Sequence, residues 1–132
     1  MSHPRLLLFC CALSGFLVVA LGAFGAHALA ASLTPKLQAT YQTAVEYQGL
    51  HTLAALAITL LSLHFPESRW LTRAGWLMLL GILLFSGSLY LLALTGIRAL
   101  GMITPFGGLT LLLGWAMLAF AVLRLPGRNR SS

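Results

Sequence analysis

Acidic residues are almost absent from this sequence. Of 132 residues only Glu46 and Glu67 are acidic, eight are Lys or Arg, and charged residues make up 8% of the chain. A soluble domain carries about a quarter charged residues. Two carboxylates leave little for acid–base catalysis, so we expect a protein that is not an enzyme. The basic residues are scattered singly at the ends of apolar segments, which favours lipid-headgroup anchors over a nucleic-acid partner.

Cysteine is also scarce. The two cysteines, Cys10 and Cys11, are adjacent and have no Cys or His partners at ligand spacing. This pattern argues against a disulfide framework or a cysteine-based metal site, and it favours small apolar packing residues. We therefore expect no cofactor.

Apolar residues, in contrast, make up 59% of the chain. Four segments reach the roughly 17–25 mostly apolar residues that a bilayer crossing requires. They are approximately residues 6–28, 47–65, 70–94 and 100–123. The first run is longer than the apolar core of a signal peptide, so we expect it to be retained as a helix. The sequence thus predicts an all-α fold, one integral membrane domain over residues 1–132 with four transmembrane helices.

The connections between these segments carry helix-end signals. Residues 35–46 place their apolar side chains on one face, which predicts a short amphipathic helix between helices 1 and 2. Thr34 is its predicted N-cap and Pro35 its first residue. Gly49 allows a bend into the next span, and Gly96 is the predicted C-cap of the third helix.

The distribution of basic residues predicts the orientation of the chain. With four crossings, the N-terminus, the second loop and the C-terminus share one side, which carries Arg5, Arg69, Arg73, Arg124, Arg128 and Arg130. The first and third loops hold only Lys36 and Arg98. Six basic residues against two favour cytoplasmic termini by the positive-inside rule.

Seven small or helix-bending residues are the predicted helix-packing positions. Three of them recur every four residues at the end of the first run, where small side chains let two backbones approach closely. In the fourth segment a proline permits a kink and paired glycines permit close contact. The seven are Gly22, Gly25, Ala26, Ala30, Pro105, Gly107 and Gly108.

Polar residues from all four helices are predicted to converge on the outer third of the bundle. They are His27, Glu46, Tyr47, Gln48, His51, Ser86, Ser88, Tyr90 and Thr104. This cluster is the one constellation that could hold chemistry. Membrane bundles also use such side chains as interhelical hydrogen-bond partners, so the convergence alone does not define an activity.

Two histidines of this cluster are predicted to lie at similar depth on antiparallel helices. His27 and His51 could form a structural hydrogen bond, directly or through water. With Glu46 they could instead form a proton relay, since ionisable groups inside a membrane often mark such paths. A metal site lacks a third ligand at suitable spacing. The structural pair is the interpretation that we favour.

Several motifs together resemble a known family. They are GAFGAHAL at 22–29, YQTAVEYQ at 41–48, FSGSLY at 85–90 and ITPFGG at 103–108. This joint pattern is similar to the YgdD-like family of small bacterial inner-membrane proteins, a domain-of-unknown-function family with eukaryotic transmembrane relatives. The resemblance covers nearly the whole chain, and it implies a four-helix protein of the bacterial inner (plasma) membrane. It brings no established activity and no catalytic residue.

Two classes of function follow from these patterns. The first is a structural or accessory membrane protein that associates with itself or with a larger membrane complex, which small-residue seams and minimal loops favour. The second is a small conduit or carrier for protons, ions or a small solute through the outer polar pocket. Such proteins usually have broken helices near the bilayer midplane, and only the region around Pro105 hints at one. A membrane enzyme acting on lipid ranks third.

Overall fold

Four long α-helices account for most of the molecule. The computed structural model describes residues 3–127, in which α1 spans His3–His27, α2 Pro35–His64, α3 Arg69–Thr95 and α4 Thr104–Leu123. A short 3₁₀ helix, Arg98–Met102, precedes α4. All four α-helices fall in segments long and apolar enough to cross a membrane, and no strand occurs within residues 3–127. The predicted all-α, four-helix membrane fold is confirmed.

The second helix differs from the prediction. The expected amphipathic helix 35–46 and the expected span 47–65 form one continuous helix of 30 residues, about 45 Å long. Its start is as predicted, because the Thr34 side chain accepts a hydrogen bond from the Leu37 amide at 3.3 Å and Pro35 opens the first turn. Gly49 does not interrupt the helix. Its free side lies against Val18 of α1, where a Cβ would be 3.5 Å from the valine methyl.

Helix α3 lies at the centre of the bundle, because it packs along both α2 and α4, while α1 lies mainly against α2. At its far end Gly96 has φ 71°, and its amide bonds the Leu92 carbonyl, which confirms the predicted C-cap. The left-handed conformation reverses the chain direction within a few residues. Consecutive helices are therefore antiparallel neighbours.

The contact between α3 and α4 is closest at Gly107. A Cβ at this position would overlap the backbone of Leu84 and Phe85, so only glycine fits. Gly108 has ordinary room, since its Cβ would lie 3.9 Å from the Phe85 ring. Pro105 does not kink the helix as expected. It lies in the first turn of α4, where the missing amide hydrogen of proline costs nothing.

The packing face of α1 also differs from the predicted seam. The face turned to the bundle carries Leu7, Cys11, Ser14 and Gly25, all buried. Gly22 is half-buried, and the Gly25 backbone lies directly beneath the Tyr41 ring, where a Cβ would clash. Ala26 is exposed, because it is rotated by about 100° from Gly25. Ala30 is also exposed and lies beyond the end of α1.

One half of the bundle is filled by apolar side chains. This apolar core lies in the half that contains the α2–α3 turn, and all four helices contribute to it. Its buried members are Cys11, Ala55, Ile58, Leu71, Ala74, Met78, Leu111 and Ala121. The buried polar side chains are concentrated at mid-bundle and in the other half.

Candidate functional site

The amide of Gln48 is the hub of a buried polar cluster near the middle of the bundle. Its Nε2 donates to the backbone oxygen and to the hydroxyl of Ser14, both at 3.3 Å. Its Oε1 accepts a hydrogen bond of 2.6 Å from the Tyr90 hydroxyl. The hydroxyls of Ser14 and Thr52 share a further hydrogen bond of 2.7 Å. One amide therefore joins α1, α2 and α3.

Two tyrosines extend this cluster away from the apolar core. The rings of Tyr41 and Tyr90 meet edge to face, with centroids 5.2 Å apart. The Tyr41 hydroxyl donates to the Leu21 carbonyl of α1. Beside them, the Ser86 hydroxyl donates to the Ala44 carbonyl at 2.8 Å. Each of these side chains crosses from one helix to another, so they hold α1, α2 and α3 in register.

A separate pair links α3 to α4. The hydroxyls of Ser88 and Thr104 lie 2.7 Å apart, and Ser88 also bonds the Phe85 carbonyl at 2.9 Å. Both residues belong to the predicted cluster. They bond each other, and neither is among the hydrogen-bond partners of the Gln48 amide described above. The pair lies at the start of α4, next to the close approach at Gly107.

His51 connects α2 to α4. Its Nδ1 lies 2.8 Å from the Tyr47 carbonyl, and its Nε2 lies 3.1 Å from the indole nitrogen of Trp115. An indole N–H can only donate and a carbonyl can only accept. The proton therefore sits on Nδ1, and Nε2 accepts from Trp115. The imidazole is buried with both nitrogens bonded in its neutral form.

The predicted pairing of His27 with His51 is wrong. Thr52, the neighbour of His51, contacts Ser14, which lies thirteen residues before His27 and about 20 Å from it along α1. His27 is exposed at the end of that helix. The error follows from the start of α2, which begins twelve residues earlier than the expected span, so that His51 lies deeper in the bundle.

The proton relay, the alternative considered for these histidines, also lacks its geometry. Glu46 is exposed whereas His51 is buried, because five residues on a helix separate their directions by about 140°. Within residues 3–127 no three His, Cys, Asp or Glu side chains come together. Tyr47 is half-exposed and stacks on Phe85 at 4.4 Å, on the same face as His51.

Four residues of the site are absent from the predicted cluster. Ser14, Tyr41, Thr52 and Trp115 each take part in a hydrogen bond that joins two helices. A signal existed for Ser14, because it is the one hydroxyl residue between positions 3 and 27. Tyr41 lies in the stretch for which the sequence predicts a surface helix, so the prediction does not place it inside the bundle. Trp115 carried no local signal, since a tryptophan in an apolar segment also fits a lipid-facing position.

The arrangement defines a class. Four long apolar helices with minimal connections, held by buried side-chain hydrogen bonds, form a small multi-pass membrane protein of the four-helix-bundle type. The chain belongs to the family described as "Protein of unknown function (DUF423)", whose model matches residues 21–108. The resemblance inferred from the motifs is confirmed.

Several membrane proteins are similar to this chain over most of their length. The UPF0382 inner membrane protein YgdD of Escherichia coli K12 is 42% identical over 127 residues, which cover 96% of each chain. A UPF0382 membrane protein of Staphylococcus epidermidis is 45% identical over 88% of this chain and 93% of its own. YwdK of Bacillus subtilis, also a UPF0382 membrane protein, is 41% identical over 86% and 92%. No solved structure matches the chain.

Proposed function

We propose that this protein is a structural or accessory component of the bacterial inner membrane, without catalytic activity, and that it associates with itself or with a larger membrane complex. The observation that carries the proposal is the use of the Gln48 amide. Both of its ends bond to neighbouring helices, to Ser14 on one side and Tyr90 on the other. An amide engaged in this way stabilises the bundle and has little capacity left to bind a ligand.

The same reasoning applies to His51, the buried histidine of the cluster. Both ring nitrogens have partners, the Tyr47 carbonyl and the Trp115 indole. A catalytic base or a transport relay needs a nitrogen that is free to exchange its proton with a substrate. The bonded neutral ring suits a structural role, in which it fixes α4 against α2.

The second candidate, a conduit for protons, ions or a small solute, has one feature in its favour. Polar side chains occur in the half of the bundle away from the α2–α3 turn and reach its middle at Gln48. The other half holds the buried apolar core, with Met78 and Leu71 fully covered. Its two buried hydroxyls, Thr59 and Ser62, donate to backbone carbonyls of their own helix. A continuous polar path would have to cross this layer, which is why we rank the conduit second.

Flux measurements on proteoliposomes distinguish the two candidates. The full chain is reconstituted with a pH-sensitive dye inside, a proton gradient is imposed, and the leak is compared with protein-free liposomes. A structural or accessory protein is expected to leave the leak unchanged. The opposite result would be a flux that disappears with Gln48→Leu but persists with Gln42→Leu, the exposed glutamine on the same helix.

Self-association is tested separately by single-molecule photobleaching of the labelled full chain in bilayers. Two or more bleaching steps per particle, at a density where random overlap is negligible, would support association with itself. Single steps throughout would rule out the homo-oligomer and leave a larger heteromeric complex as the form of the proposal.

A further inference from the structure

Two basic residues from distant parts of the sequence lie at the same end of the bundle. Lys36 lies in the first turn of α2 and Arg98 opens the 3₁₀ helix after α3. Both line one recess of about 500 Å³, whose other walls are Leu37, Thr40, Leu92 and Gly96. Both belong to the end of the bundle opposite the α2–α3 turn, because α2 starts there and α3 ends there.

The local structure fixes the backbone positions of these two residues. The N-cap Thr34 and the ring of Pro35 hold the first turn of α2, and therefore the backbone of Lys36. The left-handed Gly96 ends α3, and the Thr95 hydroxyl accepts from the Ile97 amide at 3.3 Å, directly before Arg98. The two backbones are thus held by helix caps at the mouth of the recess.

The recess has a one-sided charge. Six Lys and Arg residues occur within residues 3–127, and the two at this end of the bundle both line it. The chain has only two carboxylates, and neither Glu46 nor Glu67 is part of the lining. Two like charges that face a common space repel each other, and an anion between them removes this cost.

We propose that this recess binds a phosphate group, and that the phosphate is carried by an anionic lipid headgroup. The guanidinium of an arginine can hold two phosphate oxygens at once, while a lysine adds a point charge. The recess lies at a helix end, the level at which a spanning helix meets lipid headgroups. Leu37 and Leu92 add apolar wall, which suits a lipid and offers nothing to a free ion. The proposal is independent of the proposed function.

Photo-crosslinking locates such a site. The full chain in detergent is mixed with a photoreactive phosphatidylglycerol, and crosslinked peptides are identified by mass spectrometry. We expect crosslinks in the peptides that contain Leu37 and Leu92. The double variant K36Q/R98Q is expected to lower the apparent affinity about 30-fold, from about 1 kcal/mol per basic residue. The charge-conserving variant K36R/R98K should retain the crosslinks.

A matched control removes two charges from the other end. R69Q/R73Q should leave crosslinking at Leu37 and Leu92 unchanged. Arg69 and Arg73 lie at the α2–α3 end of the bundle, whereas Lys36 and Arg98 lie at the opposite end. All four side chains are exposed, so the variants should still fold, and thermal melting checks this. Crosslinks that are absent from both peptides, or that persist in K36Q/R98Q, would overturn the proposal.

Competition with inorganic phosphate distinguishes a lipid headgroup from a free phosphate ion as the ligand. If phosphate alone binds to lipid-free protein in detergent and displaces phosphatidylglycerol from the recess, the phosphate site stands and the lipid as its carrier is wrong. If phosphatidylglycerol binds and added phosphate does not compete, the lipid headgroup is the ligand. Zwitterionic phosphatidylcholine should crosslink more weakly than phosphatidylglycerol, since it carries no net negative charge.

Discussion

The indole nitrogen of Trp115 donates a hydrogen bond to Nε2 of His51 at 3.1 Å, with the two rings arranged edge to face and 6.0 Å apart. This bond joins α4 to α2, although the main packing of both helices is against α3. It also selects the Nδ1–H tautomer of the imidazole, whose proton goes to the Tyr47 carbonyl. A single contact therefore links α4 to α2 and fixes the tautomer of the buried histidine.

Loss of this bond should have a small but specific cost. Trp115→Phe keeps an aromatic ring and removes the donor, so the free energy of unfolding should fall by about 0.6 kcal/mol, and by at most about 1.7. The control is Trp76→Phe in α3. The Trp76 indole has no such partner among the described hydrogen bonds. Unfolding in mixed micelles measures both. In the double variant with His51→Leu the costs should not add, because the two residues share one bond. Equal effects of the two Trp variants would contradict the assignment.

The Gln48 amide should be the most sensitive polar group of the cluster. Gln48→Leu leaves the part-buried Tyr90 hydroxyl without its acceptor, which should lower the free energy of unfolding by about 1–3 kcal/mol. Gln42→Leu, on the exposed face of the same helix, should have little effect. Adding Tyr90→Phe to Gln48→Leu should restore part of the loss, since the stranded hydroxyl is then gone. A Gln48→Leu variant as stable as the wild type would refute the role of Gln48 as the hub of the cluster.

Much of the architecture was predictable because it depends on local or compositional signals. The number of spans follows from the apolar runs, and the caps at Thr34 and Gly96 follow from residue type and position. The continuity of α2 was not predictable in the same way. Its first part is amphipathic and its second part is apolar, so that the hydropathy pattern changes near Tyr47 while the backbone does not.

The pairing of side chains was less predictable than the helices. Which face of α1 meets α2 is decided by the fit of the Gly25 backbone beneath Tyr41, a contact between residues far apart in sequence. A rotation of about 100° separates this face from the one that carries Ala26. The depth of His51 in the membrane was hard to predict as well. A predicted start of the second span that is twelve residues too late places His51 about 18 Å too close to His27.

The adjacent glycines of α4 should respond differently to the same substitution. Gly107→Ala places a methyl group in the backbone of Leu84 and Phe85, so α3 and α4 must separate. Overpacking of this kind costs about 1–3 kcal/mol. Gly108→Ala adds the same methyl group at 3.9 Å from the Phe85 ring, an ordinary contact, and should be neutral or slightly stabilising. Thermal melting of both variants in detergent provides the measurement. If both variants melt at the same temperature, the close approach of α3 and α4 at Gly107 is wrong.

The orientation of the bundle is predicted to place both termini in the cytoplasm. The end that contains the α2–α3 turn holds a stack in which the Arg73 guanidinium lies over Trp70, Trp70 meets Phe120 edge to face, and the Arg124 guanidinium covers Phe120. Basic and aromatic side chains at one level suit the boundary between lipid and cytoplasm. Two of the six basic residues counted for this side, Arg128 and Arg130, lie outside the described residues.

Paired reporter fusions measure the orientation directly. A green fluorescent protein joined after Ser132 should fluoresce, and alkaline phosphatase at the same position should be inactive, because each reporter folds on only one side of the membrane. Phosphatase inserted after Ala31, in the connection between α1 and α2, should give the reverse result. The physical reason is that basic residues near the helix ends are retained on the cytoplasmic side during insertion. An active phosphatase at Ser132 together with an inactive one at Ala31 would invert the bundle and place the Lys36–Arg98 recess on the cytoplasmic face.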